Sequence, residues 1–296
     1  MRVFVTGASG FVGSAIVKEL LSSGHQVLGL VRSDSAAQKL TASGAEVCLG
    51  DVNNIEIIQR AASTCDAVIH TAFNHDFSQY KANCEADRIV IEAFGEALMG
   101  SEKPLVITSA LGLLNYDRPV TEDDALQVSS TIVPRAASEE AATAVSAKGV
   151  RVYVVRLPAS VHGSGDHGFI PVVINTARDK GESAYVGEGH NRWPAVHRDD
   201  AAIVYRLVVE KQPSLKVLHA VAEEGIAFKQ IAKVIGDGLH LPVISKTGDD
   251  IAAHFGWFAH FASIDCPSSN KKTVEQLGWE PKGAGLIEDI KNAGYL

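Results

Sequence analysis

Cysteine is sparse in this sequence and never paired at Cys-x-x-Cys spacing: Cys48, Cys65, Cys84 and Cys266 are scattered along 296 residues. That excludes the usual zinc patterns and a disulfide framework, and leaves reduced, buried thiols as the expectation. No window approaches the roughly 20 uninterrupted apolar residues of a membrane-crossing helix. A basic segment, apolar run and cleavage site are missing at the N-terminus, so no secretory leader is expected and a cytoplasmic location is. Basic residues are the scarcer charged class: 27 Lys and Arg against 35 Asp and Glu give a net charge of −8. That balance speaks against nucleic acid or a membrane surface as partner and leaves a small molecule. There is no internal repeat and no low-complexity linker. Nearly half the residues are hydrophobic, enough for one large domain or two closely joined ones.

The most informative stretch lies at the start, Met1-Arg-Val-Phe-Val-Thr-Gly-Ala-Ser-Gly-Phe-Val-Gly13. Residues 2–5 read as a buried strand, and Ser14–Ser23 carries apolar residues at helical spacing. Strand, glycine turn and helix in that order make a dinucleotide fingerprint credible. Gly7 permits the tight turn, Gly10 lets backbone N–H groups approach a pyrophosphate, and Gly13 lets helix and strand pack closely. Ser9, Phe11 and Val12 complete the expected contact, at the positive end of the helix.

Strand and helix signals then alternate. Strands are expected at Gln26–Val31, Val47–Leu49, Ala67–His70, Leu105–Thr108, Val150–Arg156 and Val217–Ala220. Helices are expected at Ser35–Ser43, Asn54–Ala62, Glu85–Met99, Ser138–Ala147 and Ala227–Ile235. This pattern implies an α/β fold, a Rossmann-type doubly wound parallel sheet covered on both faces. Pro158–His167 and Gly187–Pro194 read as ordered loops over a site. The expected division gives residues 1–157, with returning segments at about 195–222 and 258–266, to the nucleotide-binding domain. Residues 158–194, 223–257 and 267–296 form a small, discontinuous substrate-binding lobe.

At the end of the second strand an acidic residue would hold the ribose 2′-OH of NAD, whereas arginine accommodates the 2′-phosphate of NADP. Here Val31 is followed by Arg32 and Ser33, which favours NADP(H). Asp34 keeps NAD(H) possible, or simply caps the next helix. Asp51, with Val52 beside it, is placed to touch the adenine. Thr71, Ala72 and Phe73 leave the fourth strand at its carboxyl end, where such folds bind ligands.

With these residues in hand, the chain resembles the extended short-chain dehydrogenase/reductase superfamily, nearly end to end. Thr6-Gly-Ala-Ser-Gly-Phe-Val-Gly13 matches its glycine motif and Gly50-Asp51-Val52 its adenine-side turn. Asn83 matches the asparagine of the helix beneath the active site, and Thr108-Ser109-Ala110 the catalytic-serine segment. Arg156-Leu-Pro-Ala-Ser-Val-His-Gly163 resembles the Arg-Pro-x-x-Val-Tyr-Gly loop near the nicotinamide, which implies cofactor contacts from Pro158, Ser160 and Val161. Ala195-Val-His-Arg-Asp-Asp200 resembles a Val-His-Val-Asp-Asp element, and Leu277-Gly-Trp279 a C-terminal signature. The resemblance also implies a homodimer through the helices at 85–99 and 138–147.

The family's catalytic Tyr-x-x-x-Lys is missing: the matching stretch is Arg135-Ala-Ala-Ser-Glu139. In the family mechanism tyrosine passes a proton to the substrate carbonyl oxygen, and lysine binds the ribose and lowers the tyrosine pKa. Glu139 acts in the opposite electrostatic sense, and arginine does not release a proton near neutral pH. Ser109 is the best retained donor to a substrate oxygen. Arg135 either polarises a carbonyl or forms a surface i,i+4 pair with Glu139. His75, in Phe73-Asn-His-Asp-Phe77, is a candidate acid against the alternative of a solvated loop, and Asn74 is an alternative carbonyl donor. His162, Trp193 and His197 are expected to line the substrate. His167 and His190 add polar groups, but their spacings match no metal-ligand pattern. Tyr116 and Tyr153 are the remaining nearby phenols, with Tyr153 read as core. The first functional reading is an NADP(H)-dependent reductase of a small, partly hydrophobic carbonyl compound. The alternatives are an NADP(H)-binding redox sensor without turnover, and a sugar-nucleotide epimerase or dehydratase.

Overall fold

The computed structural model describes residues 1–296. Its frame is a seven-stranded, wholly parallel sheet. The strands are β1 (Arg2–Thr6), β2 (Gln26–Val31), β3 (Glu46–Leu49), β4 (Ala67–His70), β5 (Pro104–Ala110), β6 (Arg151–Leu157) and β10 (Val217–His219), in spatial order β10-β6-β5-β4-β1-β2-β3. Alternation along each strand sorts side chains to two faces. Val3 and Val5 pack on one face, with Ile69, Val106, Tyr153 and Val155. Phe4 packs on the other, with Val68, Leu105, Ile107 and Val154.

Helices α1 (Phe11–Ser22), α2 (Asp34–Ala42) and α7 (Arg198–Lys211) cover the first face. Helices α3 (Ile55–Ser63), α4 (Tyr80–Leu98) and α5 (Ala137–Ala147) cover the second. From β1 the chain runs outward to β2 and β3, then returns to β4 on the other side of β1. That reversal opens a crevice at the strands' carboxyl ends, the place where doubly wound sheets take ligands. None of the helices is long and apolar enough to cross a membrane. Helix α4 begins five residues earlier than expected, because the turn Phe77–Gln79 runs straight into it; its polar first turn hides the helical period.

The second lobe holds β7 (Ser160–His162), β8 (Ser183–Val186), β9 (Arg192–His197), β11 (Glu223–Ala227) and β12 (Val243–Lys246). They form a three-stranded sheet, β11-β9-β7, and the parallel pair β12-β8. Helices α6 (Phe169–Lys180), α8 (Phe228–Leu239), α9 (Asp249–Phe255), α10 (Ala259–Ser263) and α12 (Leu286–Asn292) pack around a core containing Trp193, Phe228, Phe255 and Phe258. The stretches expected as loops at 158–167 and 187–194 therefore contain strands. Phe258 and Ala262, expected on the nucleotide-binding side, lie in this lobe's core. Leu277, which ends α11 (Lys271–Leu277), and Trp279, expected in the lobe, join the core under α7 instead. The Trp279 indole donates to the Asp200 carbonyl at 3.1 Å, and the Asp200 carboxylate accepts from the amides of Lys282 and Gly283.

Candidate functional site

The glycine turn is as crowded as its sequence implies. Gly7 sits at φ +68°, and a Cβ there would stand 2.8 Å from the Ala72 nitrogen and from Thr71 Oγ1. A Cβ on Gly13 would lie 2.0 Å from the Gly7 carbonyl oxygen. Only glycine lets the turn fold this tightly against the end of β4. Gly10 is the N-cap of α1 and offers no side-chain cap, and the first turn of the helix holds no acidic residue. Its first N–H groups therefore keep their capacity for an anion, with Ser9, Phe11 and Val12 around them. Thr71 donates to the Thr6 carbonyl at 2.8 Å, tying β4 to β1 beneath the turn. These residues fit a dinucleotide.

At the end of β2, Arg32 is exposed and makes neither a hydrogen bond nor an ion pair. The capping role considered for Asp34 belongs to Ser33, whose hydroxyl accepts from the Ala36 amide. Asp51 Oδ1 accepts from the backbone and side chain of Asn53, at 2.9 and 2.8 Å. That oxygen is committed to its own turn, while Val52 packs toward the sheet.

Arg135 lies in the single turn Pro134–Ala136 that leads into α5. The expected surface pair with Glu139 is not formed. Arg135 Nη1 instead donates to Asp87 Oδ2 at 2.8 Å and to Ser138 Oγ, and Nη2 donates to the Thr108 carbonyl at 3.0 Å. Its guanidinium carbon stands 4.3 Å over the Phe73 ring, a cation–π contact. Asp87, on α4, also accepts from Ser138 Oγ and from His70 Nε2, whose Nδ1 meets Thr6 Oγ1 at 2.7 Å. Burial alone would raise the Asp87 pKa, but Arg135, His70 and Ser138 outweigh it and hold the carboxyl well below the usual range. A chain of polar contacts therefore runs from β1 through His70 and Asp87 to Arg135.

Glu139 faces the other way. Its carboxylate accepts from Arg156 Nε at 2.9 Å, from Arg156 Nη2 at 2.7 Å and from Ser109 Oγ at 2.6 Å. Arg156 is 1% exposed and also donates to the Asp124 carbonyl. Ser109, near the end of β5, thus directs its hydroxyl proton to Glu139 on α5.

In the segment after β4, Asn74 donates to Asn83 Oδ1 at 3.2 Å and Asn83 donates to the Asp76 carbonyl at 2.9 Å, so the two candidate asparagines brace one loop. His75 stands between Phe73 and Phe77, with ring centres 5.2 and 6.5 Å away. Desolvation, then Arg135 and His167, hold its pKa below the ordinary histidine value. The shift favours the neutral ring, and the side chain stays open to solvent. Phe77 meets Trp257 at 5.2 Å and Phe261 at 5.8 Å, which joins the loop to the second lobe.

Two of the substrate candidates are corrected. His162 is fully buried with Nδ1 2.6 Å from Asp289 Oδ2, and Trp193 is fully buried in the lobe core. Neither side chain reaches the site, because both sit on strands of the second lobe's sheet. His197 caps α7, accepting from the Asp199 amide. Pro158 and Ser160 are buried, the Ser160 hydroxyl without a partner, and Val161 packs on the main core. The sequence reading missed Asp87, and quoted Phe77 in its segment without giving it a role. The only signal for Asp87 is its i,i+4 spacing from Asn83, which puts both on one face of α4.

Comparison with known proteins follows the same lines. The family model described as "NAD dependent epimerase/dehydratase family" matches residues 3–220. An uncharacterised protein of Schizosaccharomyces pombe is 45% identical over 296 residues, the full length of both chains. A sterol-4-alpha-carboxylate 3-dehydrogenase (decarboxylating) of Dictyostelium discoideum is 27% identical over 77% of this chain and 74% of its own. A 2-alkyl-3-oxoalkanoate reductase of Stenotrophomonas maltophilia is 28% identical over 71% and 66%. Among solved structures, the dTDP-glucose 4,6-dehydratase DesIV of Streptomyces venezuelae, with NAD and TYD bound, superposes with a TM-score of 0.78. It is 19% identical, over 99% of this chain and 95% of its own, and shares the fold.

Proposed function

The chain belongs to the NAD-dependent epimerase/dehydratase family, and on that premise we propose that it is an NADP(H)-dependent reductase of a small, partly hydrophobic carbonyl compound. The observation that carries this reading is Arg135, standing at the tyrosine position, fixed by Asp87 and the Thr108 carbonyl and laid over Phe73. Three of its five N–H groups are spent on these contacts and on Ser138. The Nε–H and one Nη2–H are free to polarise a carbonyl oxygen. When bound, the nicotinamide supplies the hydride. Arg135 would stabilise the alkoxide as charge develops on it. His75, neutral and beside the same aromatic ring, would pass it a proton drawn from solvent. Phe73, Phe77 and Trp257 give the surroundings an apolar, aromatic character suited to such a ligand.

NADP(H) is preferred over NAD(H) in this reading because Arg32 has no partner of its own at the end of β2. A reading as an NADP(H)-binding sensor is favoured by one observation, that Glu139 holds both Ser109 and Arg156 where the family has its lysine. The test is loss of nicotinamide absorbance with NADPH, beside NADH, against aldehydes, ketones and diketones. Turnover with NADPH is expected, and Arg32→Glu should shift the preference toward NADH. Tight cofactor binding without turnover on any compound would select the sensor instead.

A further inference from the structure

Arg198 opens α7 and its guanidinium makes no hydrogen bond, although Nε is buried. The nearest opposite charge is the adjacent Asp199, with Oδ1 3.5 Å from Nε but not aligned to accept from it. The guanidinium carbon lies 5.0 Å over the ring of Phe11. The same ring is met edge-on by His167, 5.8 Å away, from the segment that follows β7. Phe11 is the first residue of α1, so its amide is among the uncapped donors of the glycine turn. Arg198 is thus a cation that makes no hydrogen bond and has only its exposed chain neighbour Asp199 as counter-charge, and it rests on the side chain of a residue whose own backbone faces the expected diphosphate. It stands where the resembled Val-His-Val-Asp-Asp element has valine, so the cation is a feature of this chain. The chain also lacks the lysine that would bind the ribose, and carries Glu139 in its place.

We propose that Arg198 is a cofactor-binding residue that donates hydrogen bonds to the diphosphate of the dinucleotide, closing the glycine turn from the side of the second lobe. The proposal rests on the reading of this site as an NADP(H) site. Aspartate and glutamate are absent from the first turn of α1, so that helix end and Arg198 act on an anion with the same sign. A charge-assisted, forked contact of this kind is among the stronger hydrogen bonds.

The test is titration of the full-length protein, by quenching of tryptophan fluorescence or by calorimetry, with three ligands: NADP, 2′-phospho-ADP-ribose and adenosine 2′-monophosphate. Arg198→Leu should weaken the two diphosphate-containing ligands about tenfold or more and leave adenosine 2′-monophosphate unchanged. Arg198→Lys should recover part of the loss. Arg32→Ala should weaken all three. Equal affinities for Arg198→Leu and the parent protein, or an equal loss for all three ligands, would overturn the proposal. Arg198→Gln gives the same discrimination if the leucine variant melts early. If the parent protein binds neither NADP nor NAD, the reading of the site falls first and the proposal with it.

Discussion

Arg135 and Glu139 stand four residues apart, yet each is neutralised from a different part of the chain, Arg135 by Asp87 on α4 and Glu139 by Arg156 on β6. Their meaning follows from those partners rather than from each other. Replacing Glu139 with the family's lysine would set two cations together in a buried site, beside an arginine 1% exposed. Glu139→Lys should therefore cost about 3–5 kcal/mol of stability, measurable as a fall in the urea midpoint, and bring no gain in activity. Arg135→Gln keeps a donor but removes the charge, and should lower kcat by roughly 100-fold with little change in NADPH affinity. The glycine turn was legible in the sequence because Gly7, Gly10 and Gly13 answer local steric demands. The partners of Arg135 were not, since Asp87 lies 48 residues away and is a single acidic residue in a long helix.

Among the elements, the parallel strands of the main sheet read clearly because burial on both faces turns them into short apolar runs. The second lobe did not. Strand β7 is three residues long, β9 contains Pro194, and their pairing joins Ser160 to Ala195 and His162 to His197. Such strands are defined by their neighbours more than by their own composition. Helix α12 shows the same dependence on context. It is seven residues long, yet Leu286 and Ile290 are fully buried in the lobe core and Asp289 meets His162. Ile290→Ala should destabilise the protein by about 2–5 kcal/mol, read from thermal or urea unfolding. A loss below about 0.5 kcal/mol, the range of surface substitutions, would show that α12 does not hold the lobe.

Across the whole molecule, buried histidines set the response to acid. Burial pushes His219 down to about 4, and burial likewise lowers His162 and His254. These rings are neutral in the folded state and take up protons near pH 6.5 once unfolded. The unfolded state therefore binds more protons across this window, and stability falls as pH drops from about 6.5 toward 4. The expected result is a lower urea midpoint at pH 4.5 than at pH 7.5, with the deeply buried His219 contributing most. Asp87, held low as an acid, contributes fully above its ordinary value of 3.8 and loses that contribution progressively as pH falls below it. A flat urea midpoint between pH 7.5 and 4.5 would mean that the histidines are hydrated.

The same molecule, with its glycine cradle formed and its tyrosine replaced by a fixed guanidinium, is most directly tested by following the hydride itself. NADPH carrying deuterium at the transferable position would be incubated with the protein and a panel of small ketones and aldehydes, and the products examined by mass spectrometry. The expected result is an alcohol heavier by one deuterium, formed by the parent protein and lost in Arg135→Gln. Bound but unconsumed cofactor, with no label in any product, would contradict a reductase.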